Sequence, residues 1–105
     1  AIRALPIERA GEGPTEREVQ RVLRRVRSRI QSCYAVAVES RPDLEGRVTA
    51  SFVVGSHGDV LRSHAAGLTG DVAGCISDAV ASARFPAPRN GLPVSVEAPF
   101  HFAAH

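Results

Sequence analysis

Arg47-Val48-Thr49-Ala50-Ser51-Phe52-Val53-Val54-Gly55-Ser56-His57-Gly58-Asp59-Val60-Leu61-Arg62-Ser63-His64-Ala65-Ala66 is the stretch that decides the fold. From Arg47 to Val54 the side chains alternate, so Val48, Ala50, Phe52 and Val54 share one face, the period-two pattern of a strand with one buried side. Gly55 to Asp59 supplies residues that tolerate positive φ in a tight connection, and Val60 to Ala66 runs back as the second arm of a hairpin. Gly55-Ser56-His57-Gly58 also has the letters of the loop with which KH domains clamp a nucleic-acid backbone. That loop joins two helices, whereas these glycines join two strands, so the hairpin turn is the better reading.

Upstream of the hairpin, Thr15 is placed to cap a helix, with Glu18 three residues on completing a capping box. Val19, Val22, Leu23, Val26, Ile30, Cys33, Tyr34 and Ala37 then gather on one helical face, and Arg17, Arg21, Arg24, Arg25, Arg27 and Arg29 on the other. The spacing predicts one long amphipathic helix ending near Ser40, ahead of Pro42. Residues 1–14 mix Pro, Gly and charge without period and read as the end of a linker, with a short extended piece around Ile2 to Ile7. Downstream, Asp71 is placed to cap a second helix that buries Val72, Ile76, Ala79, Val80 and Ala83 and stops at Phe85-Pro86-Ala87-Pro88.

The last element, Leu92 to Phe102, alternates Val94, Val96, Ala98, Phe100 and Phe102 against Ser95, Glu97 and His101. Pro93 and Pro99 lack the N–H that a strand flanked on both sides needs, which places this strand at a sheet edge. The order helix-strand-strand-helix-strand, with right-handed crossovers, predicts an α+β domain over residues 15–105. Its sheet has three strands in the order 2-1-3, with both helices on one face.

A chain of 105 residues, 44% hydrophobic and 23% charged, has room for one modest core and is neither disordered nor fibrous in composition. Eleven acidic residues nearly cancel the thirteen arginines, leaving a net charge of +2. Aromatic residues make up only 5%, too few for a base-stacking surface, which weighs against single-stranded nucleic acid. The Arg face of the first helix reads as a solvated face, with binding of an anionic polymer or membrane surface as its functional alternative. No stretch has the length and apolarity of a membrane span, and no signal peptide is recognisable, so if the protein is exported its anchor or signal is expected outside these residues.

Cys33 and Cys75 each sit on a predicted helix, and two helices packed on one sheet face bring them within reach of a disulfide. The alternative is two buried free thiols acting as small hydrophobes. His57, His64, His101 and His105 fall in a turn, on a strand and near the terminus, with no nucleophile motif and no metal-ligand spacing. The chain is therefore read as a non-enzyme with no catalytic residue, no metal site and no cofactor.

Several short runs carry a resemblance: Ile30-Gln31-Ser32-Cys33-Tyr34, Pro42-Asp43-Leu44-Glu45-Gly46-Arg47-Val48, Phe52-Val53-Val54, Gly58-Asp59-Val60, Cys75-Ile76, Phe85-Pro86 and Pro99-Phe100-His101-Phe102. In this succession the chain resembles the TonB C-terminal family over about residues 15–102, and more closely its AgmX/PglI branch from myxobacterial motility and envelope proteins. The two cysteines in their Cys-Tyr and Cys-Ile settings point to the branch. The resemblance implies a periplasmic domain of a parent chain anchored in the inner membrane, reaching toward an outer-membrane or periplasmic protein segment, in energy transduction or gliding motility. It also implies that the partner adds as a strand to the last strand, at Leu92, Val94, Ser95, Val96 and Glu97, with Pro99 limiting the pairing. It implies no nucleic-acid partner and sets no oligomeric state.

Overall fold

The hairpin predicted around Phe52 is the centre of the fold. In a computed structural model that describes residues 2–103, two nine-residue strands lie side by side. These are β3 (Gly46–Val54) and β5 (Val94–Phe102), in antiparallel register from Gly46 opposite Phe102 to Val54 opposite Val94. The full order is β1 (Ile2–Ala4), β2 (Glu8–Ala10), α1 (Glu16–Arg25), α2 (Arg27–Ser40), β3, β4 (Val60–Gly67), α3 (Gly70–Ala81) and β5. The result is a small α+β domain with one five-stranded antiparallel sheet. Its path is β1-β5-β3-β4, with β2 also paired to β5. Ala1 of the predicted linker, and Ala104 and His105 of the predicted domain, lie outside the described residues.

The alternation read from the sequence is what builds the core. Val48, Ala50, Phe52 and Val54 of β3 and Val94, Val96, Ala98, Phe100 and Phe102 of β5 are all buried on one face. The helices lie over it and contribute Val19, Leu23, Ile30, Tyr34, Ile76 and Val80. Thr49, Ser51, Ser95, Glu97 and His101 line the opposite face, half-buried or exposed. At the β3–β4 turn, Gly58 holds φ at 84° while its carbonyl accepts from the Phe85 N–H at 2.8 Å. A Cβ at Gly58 would stand 1.9 Å from the Phe85 carbonyl oxygen, so both the turn and the close approach require glycine there.

Four expectations are corrected. The segment read as linker supplies β1 and β2, so the sheet has five strands rather than three. The last strand is interior rather than at an edge, because β1 and β2 lie along its outer side. The single long helix is two, separated at Val26 (φ −99°, ψ 6°), whose carbonyl accepts from both Arg29 and Ile30 N–H. Neither Pro nor Gly marks that break. Just past it Arg27 Nη2 donates to the Ile2 carbonyl at 2.9 Å, and α2 goes on to pack against α3. Finally, α3 is capped by Thr69, whose Oγ1 accepts from the Val72 N–H, and Asp71 sits inside the first turn.

Cys33 and Cys75 form a disulfide between α2 and α3, with Cα atoms 5.7 Å apart and 42 residues between them in sequence. Tyr34, next along α2, sets its ring 5.0 Å from that of Phe102 at a tilt of 34° and donates its hydroxyl to the Leu44 carbonyl. Burial pushes the Tyr34 phenol above its ordinary pKa, with Glu45 adding to the shift. At the other end of the layer the capping box is complete: Glu18 Oε1 accepts from Thr15 N–H at 2.8 Å, and Thr15 Oγ1 from Glu18 N–H at 3.1 Å. The Thr15 backbone N–H holds the Glu18 carboxyl below its ordinary pKa. Asp71 is lowered by the Thr69 hydroxyl and by Arg41, whose Nη2 lies 2.8 Å away.

Two expectations follow from these contacts. Replacing both cysteines by serine should lower the unfolding free energy by about 4 kcal/mol in the chain-entropy account of cross-links. Denaturant melts measure this, and the unreduced, unfolded protein should show no free thiol. Glu18 and Asp71 titrate lower when folded than when unfolded, so their contribution is present above the unfolded carboxylate values and fades as pH falls through the folded ones. Urea midpoints on acidification should drop less steeply for Glu18→Gln than for the native chain.

Candidate functional site

An antiparallel sheet offers a partner its unpaired margins, and backbone direction decides which groups are free. Within a strand, the N–H and C=O of one residue point to the same side, and successive residues point to opposite sides. The Pro99 carbonyl accepts from the Leu5 N–H at 2.9 Å, so Pro99 faces outward, away from β3. Its missing N–H costs the β3–β5 ladder nothing. It falls instead against Leu5-Pro6-Ile7, the gap between β1 and β2. This is how a proline sits in an interior strand, and why the proline rule misplaced β5 at the edge.

The same alternation settles the residues assigned to partner binding. Ser95, Val96 and Glu97 lie opposite Ala10, Arg9 and Glu8 of β2, and on the other side opposite Val53, Phe52 and Ser51 of β3. Val94 pairs with Val54 and is fully buried, and Leu92 precedes the strand in an exposed loop. The margin at Ser95 to Glu97 is thus occupied within the chain by the segment read as linker, and Leu92 lies outside the strand.

The open margin is on the other side of the sheet, along β4. Because Pro99 turns outward, Ala98 and Val96 face β3, and so do Ala50 and Phe52 face β5. Thr49, Ser51 and Val53 then face β4, paired with Ala66, His64 and Arg62. Ser63 and Ala65 are left with their N–H and C=O directed outward, where no described strand lies. Their side chains point to the helices: Ser63 Oγ donates to the Ser77 carbonyl at 2.9 Å, and Ala65 is buried. A bulge between Val53 and Val54 places Leu61 at the start of this margin, 55% exposed. At the same end Asp59 bridges to Arg84, which closes the margin there. Nothing in the alternation pattern of β4 alone distinguishes it as the edge. The signal available in the sequence was the weak apolar content of Val60 to Gly67 compared with the strand around Phe52.

The six arginines of the helix face are all exposed. Arg27 is engaged with Ile2 and Arg29 with the Ser82 hydroxyl at 2.6 Å. Among the described residues the close ion pair is Arg41 with Asp71, which involves none of these six. Beside it a groove of about 310 Å³ runs between α1 and the β1–β5 edge, with Ile7, Gln20, Leu23, Arg24, Arg27 and Phe100 among its lining residues. His57 lies in the hairpin turn against Ser56, His64 on β4 and His101 on β5, and the structure does not bring them together. Among the described residues no three His, Cys, Asp or Glu are grouped to hold a metal ion, and no helix is long and apolar enough to cross a membrane. Set against known proteins, the chain matches no family model, no curated protein and no solved structure.

Proposed function

We propose that this chain is a protein-binding domain of a bacterial cell-envelope assembly, TonB C-terminal-like in design, that takes an extended segment of its partner as an added strand. The observation that carries the reading is the unpaired margin of β4, where Ser63 and Ala65 direct backbone donors and acceptors outward. Main-chain pairing supplies register and part of the affinity in this mode of recognition, and side-chain contacts supply selectivity and the remainder. Exposed Leu61 and the open-face row of Arg62, His64 and Ala66 are the side chains a guest strand meets. The Cys33–Cys75 disulfide supports an oxidising compartment, for which the periplasm is the proposal in a bacterium. The motif succession that resembles the AgmX/PglI branch supports motility or envelope force transmission as the setting, with the parent chain held in the inner membrane. No catalytic step and no cofactor enter this reading.

The backbone phase makes the test specific. In the free domain the amides of Ser63 and Ala65 should exchange rapidly with solvent, and those of Arg62, His64 and Ala66 slowly, because only the latter bond to β3. Partner binding should slow Ser63 and Ala65 and leave the others as they were. Ala65→Pro removes an outward donor alone and should keep the fold while weakening binding about tenfold or more, whereas His64→Pro breaks the β3 ladder and should unfold the domain. Protection arising on the Arg face, with affinity falling steeply between low and moderate salt, would replace this reading with binding of an anionic surface.

A further inference from the structure

Strand pairing dictates on which side of the sheet each residue of a guest at β4 would stand. A residue opposite Ser63 or Ala65 sends its side chain to the helix face, and a residue opposite Arg62 or His64 to the open face. On the open face Arg62 lies beside Val53 and His64 beside Ser51, both uncharged. The acid in the same cross-strand row, Glu97, stands beyond β3. Among the described residues neither Arg62 nor His64 has a side-chain hydrogen bond or ion pair. On the helix face Ser63 Oγ donates to the Ser77 carbonyl at 2.9 Å and accepts from Ser77 Oγ at 3.1 Å, which sets one flank of α3 over the margin. The other flank is tied to α2 through Asp71 and Cys75. Helical spacing places Gly74 and Ala81 on the flank of Ser77, both exposed, and a Cβ at Gly74 would meet nothing within 4 Å. With Leu61 55% exposed at the start of the margin, the helix side offers an uncharged surface with room beside it.

Resting on strand addition at β4, we infer that the partner segment alternates acidic and aliphatic residues. The acids stand opposite Arg62 and His64, and the aliphatic side chains opposite Ser63 and Ala65, beside Leu61 and the outer flank of α3. Charge complementarity selects the acids: a carboxylate pairs with the Arg62 guanidinium and accepts from the His64 ring N–H, and opposite charges across a strand pair attract. Burial selects the aliphatic positions, since a side chain there covers Leu61 and takes apolar area out of water, whereas a charge there would lose solvation without gaining a partner. Alternation reads the same from either end, so the pattern holds whether the guest runs parallel or antiparallel to β4. A second copy of this chain is the wrong occupant, because β4 against β4 brings two sets of Arg62 and His64 together.

The test is an amide-resolved NMR titration of the intact domain with three synthetic peptides, one alternating Glu and Val, one Lys and Val, and one Glu and Ser. The Glu-Val peptide should bind saturably and slow hydrogen exchange at Ser63 and Ala65, with the other two weaker by about tenfold or more. Arg62→Glu should reverse the order of the Glu-Val and Lys-Val peptides, and Arg25→Gln, on the exposed face of α1, should leave it unchanged. If Arg62→Glu alters the unliganded spectrum, Arg62→Gln should bring those two peptides to within about threefold of each other. Equal binding of the Lys-Val peptide to the native domain, with Ser63 and Ala65 protected, overturns the acidic preference and leaves strand addition standing. Equal binding of the Glu-Ser peptide, with the same protection, overturns the aliphatic preference in the same way. If no peptide protects Ser63 and Ala65, strand addition at β4 fails and this inference with it.

Discussion

The nine-residue ladder between β3 and β5 is the constraint on which the remaining structure depends. It carries the apolar alternation of both strands, so it fixes which face meets the helices. It also fixes backbone phase. With Pro99 turned outward, the missing donor faces the break between β1 and β2, and every other strand inherits a defined set of inward and outward groups. A slip of one residue would turn Pro99 against β3, remove a ladder hydrogen bond, and carry Val96, Ala98 and Phe100 to the solvent face. The core and the proline thus exclude the same alternative.

Above that sheet the helix layer packs through aliphatic side chains and is tied across by one covalent bridge. The chain has four Phe, one Tyr and no Trp, so large side chains that could anchor helices are scarce. Tyr34 and Phe102 provide one aromatic contact across the layers, Phe52 and Phe85 another. The Cys33–Cys75 bridge then joins α2 to α3 directly, one residue from Tyr34. For a small core, restricting the unfolded chain by one cross-link is a sizeable part of the net stability that domains of this size possess.

Much of this was legible in the sequence because periodic burial leaves a strong trace. The hairpin around Phe52, the buried faces of β3 and β5, the Thr15 capping box and the proximity of the two cysteines all follow from spacing and local chemistry. What was not legible depended on tertiary pairing. β1 and β2 are three residues each, exposed but for Ile2, and carry no alternation long enough to register; only pairing with β5 makes them strands. The break at Val26 has no local marker, since neither Pro nor Gly stands there and no side chain caps the second half. The edge assignment failed for a sharper reason. A proline excludes a neighbour only on the side its nitrogen faces, and sequence alternation reports side-chain faces but not backbone sides until one hydrogen bond fixes the phase. The candidate site inherited that error, since the margin chosen for a guest was the one the chain covers itself.

The two margins of the sheet are guarded differently, and the difference bears on what each can do. On the β5 side, two short strands, Pro6 and the Arg27 contact to Ile2 leave little continuous backbone exposed. Along β4 the devices that discourage uncontrolled pairing are a bulge at Leu61, the charge of Arg62 and the positive φ of Gly67, which confine regular geometry to a short run between them. Only Ser63 and Ala65 in that run face outward, so a guest strand gains about four main-chain hydrogen bonds, too few for tight binding after the cost of ordering an extended segment. Strand addition at β4 therefore depends on side chains meeting Leu61 and the open face around His64. The same shortness protects the isolated domain from pairing with its own copies, a requirement that a longer and flatter margin would fail.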